Sequence, residues 1–157
     1  MKPNIGITEK KLKDSASVLS AALSNEMTLY IKTRKSHWNV TGESFMELHK
    51  LYENQYKQLE EAIDEIAERI GKLGHKTIGT MNEYQKFSVL KERPGKYSSS
   101  KDTLRELLED HETVIIQLRK DIVHCTEKCK DAGTADFLTG LMEEHETTAW
   151  ILRRYLN

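Results

Sequence analysis

The chain is short of the residues that interrupt helices and of those that staple small folds. Two prolines in 157 residues leave little to break a helix, and together with 31% charged and 38% hydrophobic residues they fit a strongly helical protein better than a sheet-rich one. Cysteine also occurs only twice, at Cys125 and Cys129, which is too few for a disulfide framework and points to reduced thiols. No apolar run approaches the ~20 residues needed to span a bilayer, so no membrane partner is expected. The start, "MKPNIGITEKKLKD", has no apolar stretch of signal-peptide type, and a cytoplasmic location is the expectation. Charge of one sign is missing as well: the net value of −1 gives no overall attraction to nucleic acid, although Lys2, Lys10, Lys11 and Lys13 stand close together at the start. Internal repeats and low-complexity segments, which would indicate a solenoid or a disordered arm, are absent.

What is present is helical periodicity, and it divides residues 1–157 into one all-α domain. After Thr8, a candidate N-cap, Leu12, Leu19, Leu23, Met27, Tyr30 and Ile31 recur at three- and four-residue steps, predicting a first helix that ends near Ser36. Ser44 and Glu47 have the form of a capping box. Phe45, Leu48, Tyr52, Leu59, Ile63, Ile66 and Ile70 then mark one stripe of a second helix from about 45 to 72. A third opens at the serines of 98 to 100, carries Leu104, Leu107, Leu108, Val114, Ile115, Leu118 and Ile122, and stops at "KDAGT" around 130. A fourth starts near Thr134, follows Leu138, Leu141, Leu152 and Tyr155, and reaches Asn157, leaving nothing for a fifth long helix.

Between the second and third helices lie about 25 residues, too many for a tight turn between antiparallel neighbours. With two short links elsewhere, this reads as a long crossover that lets the two middle helices run parallel, and a ferritin-like four-helix bundle is the expected fold. Met81 to Ser88 predict a short helix within it, after Thr80, and "ERPGK" reads as a turn.

The chemistry concentrates on the second helix. With Phe45 set at zero, His49, Glu53, Asp64 and Glu68 fall at about 40°, 80°, 100° and 140°, on the flank of an apolar stripe centred near 330°. His49 and Asp64 are about 22 Å apart along the axis, so a single helix cannot close a site around one ion. A second copy laid antiparallel across a two-fold axis near residues 57 to 58 brings His49 of one chain level with Asp64 and Glu68 of the other and creates two equivalent sites. His37, at the end of the first helix, folds back towards the same pocket. Two imidazoles and three carboxylates make a mixed nitrogen and oxygen shell suited to Fe(II), Zn(II) or Mn(II).

Other polar residues read as structural. None of His49, His111, His124 and His145 has Glu three residues before it, so the pattern of an internal di-iron bundle is missing. Glu26, His111 and His145 fall on apolar stripes and are expected to form a buried hydrogen-bonded group. Cys125 and Cys129 fall on the core stripe of the third helix, with His124 pointing outward. Trp38 is either an interface aromatic or an electron donor near the site.

"KSHWNVTGESFMELH", followed at a set distance by "DEIAERI", closely resembles the signature of the Dps mini-ferritins, and the likeness extends over nearly the whole chain. It implies a ferritin-like bundle assembled through two-fold and three-fold contacts into a homododecamer. It also implies a ferroxidase that takes Fe(II) to Fe(III) with hydrogen peroxide or dioxygen, stores the ferric product and protects against oxidative damage. The implied ligands are His37, His49 and Glu53 of one chain with Asp64 and Glu68 of its neighbour, and Trp38 matches the tryptophan beside the centre. Asp131 and Asp136 resemble the lining of the family's three-fold pore. Two other readings stand beside this one. A nucleoid DNA binder needs free basic charge, which the tail largely lacks, so DNA binding is expected to be weak or absent. A helical scaffold without chemistry would use the histidine and acid flank only as an interface.

Overall fold

The computed structural model describes residues 2–157 and is built of four long helices and one short one, without strands among these residues. They are α1 (Glu9–Asn39), α2 (Phe45–Lys72), α3 (Met81–Phe87), α4 (Ser100–His124) and α5 (Ala132–Leu156). α4 is prolonged by one π turn, Cys125–Cys129, and stopped by Lys130 in the left-handed region. The spacing therefore locates every helix, the short crossover helix included. The first helix runs three residues beyond the expected Ser36.

Hydrogen bonds at the bundle ends fix the directions. Ser100 Oγ donates to Thr41 O, so α4 begins at the turn between α1 and α2. Arg69 donates to Thr134 Oγ1 from Nε at 3.1 Å, and Tyr155 donates to Glu47 at 2.9 Å; the end of α2 thus meets the start of α5, and the start of α2 meets the end of α5. The crossover leaves α2 and α4 parallel, the arrangement of the ferritin-like bundle. Three α1 side chains fasten it. Asn25 Oδ1 accepts from Val89 N at 2.9 Å, Lys32 Nζ donates to Lys91 O at 2.9 Å, and Lys35 Nζ donates to Lys96 O at 2.7 Å.

The core is the predicted stripes meeting: Leu12, Leu19 and Leu23 of α1, Leu48, Tyr52, Leu59, Ile66 and Ile70 of α2, Leu104, Leu107 and Leu118 of α4, and Leu138 and Leu152 of α5 are buried. Burying each such side chain contributes on the order of 1.5–3 kcal/mol before the entropic cost. Phe45 departs from its stripe and is exposed, one turn from His49. Capping departs too. Ser44 makes no side-chain cap, its backbone at φ −90°, ψ 22° lying outside the extended conformation of an N-cap, whereas Thr80 and Glu83 form a complete capping box at α3.

Glu26, His145 and His111 join three helices at the waist, with His145 Nε2 2.9 Å from Glu26 Oε1 and the two Nδ1 atoms 2.8 Å apart. Burial, then the neighbouring His145, hold His111 well below the ordinary histidine range, so that ring is neutral. Cys125 and Cys129 are fully buried free thiols, as their stripe requires. Among the described residues no helix is long and apolar enough to cross a membrane.

The candidate metal centre

α1 ends and α2 begins across a short turn, and that turn brings His37 and His49 face to face. Their rings stack with centroids 3.7 Å apart and planes 24° off parallel. His37 Nδ1 lies 2.8 Å from His49 O, and His49 Nδ1 lies 3.0 Å from His37 O. A carbonyl oxygen only accepts, so each Nδ1 must carry the proton. The bond fixes Nδ1 as the donor on each ring and leaves Nε2 as the nitrogen open to a ligand, and no described residue hydrogen-bonds either Nε2. Fixing one ring nitrogen so that the other is a basic ligand is the usual second partner of a metal-bound imidazole.

Glu53 sits one turn beyond His49, half-buried, between Lys57 at 2.6 Å and Lys50 at 2.9 Å. The hydrogen bonds from Lys57 and then Lys50 hold its carboxyl down at about 2, and the same contact with Glu53 raises Lys57. Glu53 is therefore anionic throughout the physiological range, and a cation arriving there must compete with two ammonium groups. Both lysines are exposed and free to swing away.

Asp64 is exposed, and no described residue hydrogen-bonds its carboxylate; Glu68 is exposed and pairs with Lys72 at 3.2 Å. Since α2 is unbroken from Phe45 to Lys72, the rise of ~1.5 Å per residue keeps Asp64 about 22 Å along the axis from His49. The fold brings His37 and His49 together, sets Glu53 one turn beyond His49 on α2, and holds Asp64 and Glu68 away from the pair. Among the described residues of one chain, no three His, Cys, Asp or Glu side chains surround a point that could hold a metal ion.

The surroundings include residues that the sequence reading passed over. Tyr56 meets His37 edge-on at 5.2 Å, Phe45 lies 5.1 Å from His49, and the Arg34 guanidinium stands 4.3 Å from the Tyr56 ring and 5.2 Å from that of Trp38. Trp38 itself is 63% exposed. The signal for Tyr56 was available, because its position on α2 is about 20° from that of His49 on the helical wheel. Arg34, one turn before His37, follows from the same count.

At the other end of the bundle, Asp131 is 2% exposed and is the N-cap of α5. Its Oδ1 accepts from Thr134 N at 3.0 Å, its Oδ2 accepts from the Thr134 hydroxyl at 2.6 Å, and Arg69 lies 3.6 Å away. Burial pushes its carboxyl up, but the Thr134 hydroxyl and amide, then the nearby Ser15 hydroxyl and the Arg69 guanidinium, outweigh it and leave it below the ordinary aspartate range. Asp136 is exposed.

Residues 16–157 match the family model described as a ferritin-like domain. The chain is 34% identical to DNA protection during starvation protein 2 of Bacillus anthracis, covering 92% of this chain and 98% of that one. It is 42% identical to an uncharacterized low temperature-induced protein of Nostoc, covering 98% and 86%. Among solved structures, a Dps protein from Vibrio cholerae O1, described as a member of a broad superfamily of ferritin-like diiron-carboxylate proteins, superposes with a TM-score of 0.91 at 28% identity over 99% of this chain and 97% of that one. DpsC from Streptomyces coelicolor does so with a TM-score of 0.95 at 25% identity, covering 100% and 91%.

Proposed function

Because the chain belongs to the Dps family of ferritin-like proteins, we propose that it is an iron-storing mini-ferritin whose ferroxidase centres lie between two-fold-related chains. The observation that carries this reading is the His37–His49 pair, two imidazoles each locked by the other's carbonyl with Nε2 uncommitted, next to a carboxylate held at full charge. A merely structural stack needs no fixed tautomer on both rings. In this reading His37, His49 and Glu53 of one chain supply half of the ligands, and Asp64 and Glu68 of its neighbour supply the rest. The distance along α2 supports the split, since neither half can serve the other within one chain.

Fe(II) is the substrate. Hydrogen peroxide takes up one electron from each of two Fe(II) ions with two protons, giving two Fe(III) and two waters, so no hydroxyl radical leaves the site. Dioxygen is the alternative oxidant. His37 and His49 present imidazole nitrogens, the carboxylates offset the growing charge on iron, and release of Glu53 from Lys50 and Lys57 accompanies loading. Trp38, held against Arg34, is the nearby donor that intercepts a stray oxidising equivalent. The ferric product is stored within a cytoplasmic shell of twelve subunits. Asp136, exposed near the start of α5, is the better of the two pore candidates, because the Asp131 oxygens are taken up by capping.

Anaerobic addition of Fe(II) followed by peroxide, with ferric absorbance and particle mass followed together, tests the proposal. The expected stoichiometry is two Fe(II) per peroxide on a particle of dodecamer mass. One Fe(II) per peroxide with hydroxyl-radical adducts on a spin trap, or a protein that runs as a monomer, overturns it.

A further inference from the structure

At the bundle waist, apart from the His37–His49 pair, a cavity of about 20 Å³ is lined by Glu26, Gln55, Gln58, His111, Glu144 and His145, among others. That volume exceeds the ~10–15 Å³ that one water or one ion requires. Several polar atoms there have no partner although they are buried: Glu26 Oε2, His111 Nε2, and both the oxygen and the nitrogen of the Gln55 amide. Glu26 is completely buried and Gln55 is 4% exposed. An orphaned buried carboxylate oxygen or amide is destabilising, so several in one small space indicate an occupant that satisfies them.

Charge says what kind of occupant. Gln58 and Glu144, both exposed, lie at the mouth of the cavity between α2 and α5. Burial first and then Glu65 push the Glu144 carboxyl up, with Glu26 and Glu61 acting in the same direction and His145 opposing them. Among the described residues none of Glu61, Glu65 and Glu144 pairs with a lysine or arginine. The mouth thus carries the Glu144 carboxylate, with no lysine or arginine paired to it among the described residues, and leads to a buried pocket of unpartnered polar atoms.

We propose that this waist cavity binds one divalent cation per chain, held by the carboxylates of Glu26 and Glu144 and the amide oxygen of Gln55. Two carboxylates and an amide make an oxygen-donor set, which selects a hard ion such as Mn(II) or Fe(II) over soft metals, with water completing the shell. The His145–Glu26 bond leaves Oε2 as the free donor, so the ion enters without dismantling the buried chain of Glu26, His145 and His111. The site shares no residue with the inter-subunit centre.

Crystals of the assembled protein saturated with Mn(II) test this through anomalous diffraction, using the bare ion as probe. The expected result is a peak in every subunit bounded by Glu26, Gln55 and Glu144. In solution, electron paramagnetic resonance of free Mn(II) should show one binding equivalent per chain weakened roughly tenfold or more in Glu144→Gln. Glu144 is exposed, so that variant keeps its fold, and an unchanged circular dichroism melt verifies it. Density at the waist without anomalous signal identifies water and overturns the proposal. Wild-type Mn(II) binding in Glu144→Gln overturns it as well.

Discussion

Replacing Asp131 with Ala separates a helix cap from a pore wall, and the structure sets its size. The change removes the acceptor for the Thr134 amide, an N-cap whose loss costs ~1 kcal/mol. It also removes the charged acceptor of the buried Thr134 hydroxyl, about 1.5 kcal/mol at the low end of the range, because Thr134 Oγ1 still accepts from Arg69. Separation of the Asp131–Arg69 charges at 3.6 Å adds roughly 0.5 kcal/mol. The total is about 3 kcal/mol, equivalent to a fall in melting temperature of roughly 6–12 °C for a chain of this size. Asp131→Asn retains the cap oxygen and should lose about half of that. Because the folded-state carboxyl is held below its unfolded value, its contribution is complete above the unfolded pKa of ~3.9 and is lost as pH falls through the folded one. The gap between wild type and Asp131→Ala, measured by guanidinium unfolding at fixed protein concentration, should be constant from pH 7 to about 5 and close in stronger acid. Initial iron-uptake rates should be unchanged in Asp131→Asn and slowed in Asp136→Asn. An Ala variant within ~0.5 kcal/mol of wild type, or a gap that ignores acid, would refute the capping argument.

Two further outcomes are expected. Burial, followed by the neighbouring Cys129, pushes the Cys125 thiol up to about 12, so native protein should resist an aromatic disulfide reagent that titrates both cysteines after unfolding; rapid native labelling would mean the π turn opens readily. Lys2 pairs with Glu9, and Lys10, Lys11 and Lys13 lie at the start of α1. Gel shifts at physiological salt should therefore show little DNA retention, and retention that persists as salt rises would overturn the expectation.

Legibility in the sequence followed the scale of the interaction. Periodicity alone located α1 to α5, since each helix exists to bury a stripe such as Leu48, Tyr52, Leu59 and Ile66. The boundaries depended on local backbone conformation that periodicity does not register, as when Ser44 leaves the extended conformation and makes no cap, while the Glu47 side chain bonds to Tyr155. The N-terminal segment is another case. Gly74, at positive φ, lies so close to Pro3 that a Cβ there would come within 2.6 Å of Pro3 Cδ, which docks residues near Lys2 against the end of α2. At the candidate centre, helical spacing separated Asp64 and Glu68 from His49. The mutual carbonyl bonds of His37 and His49 depend on the turn between α1 and α2, which no periodicity describes.

The claim that each centre is built from two chains is tested most directly by mixing variants. His49→Ala and Asp64→Ala should each nearly abolish fast peroxide-driven iron oxidation, because each removes a ligand from both sites of a two-fold pair. Shells reassembled from an equal mixture, with mixing verified by mass spectrometry, should recover part of the activity: a His49→Ala chain facing an Asp64→Ala chain makes one site with every ligand and one lacking two. If all ligands came from one chain, every site in the mixture would carry a defect, and mixed shells with no recovered activity would contradict the two-chain centre.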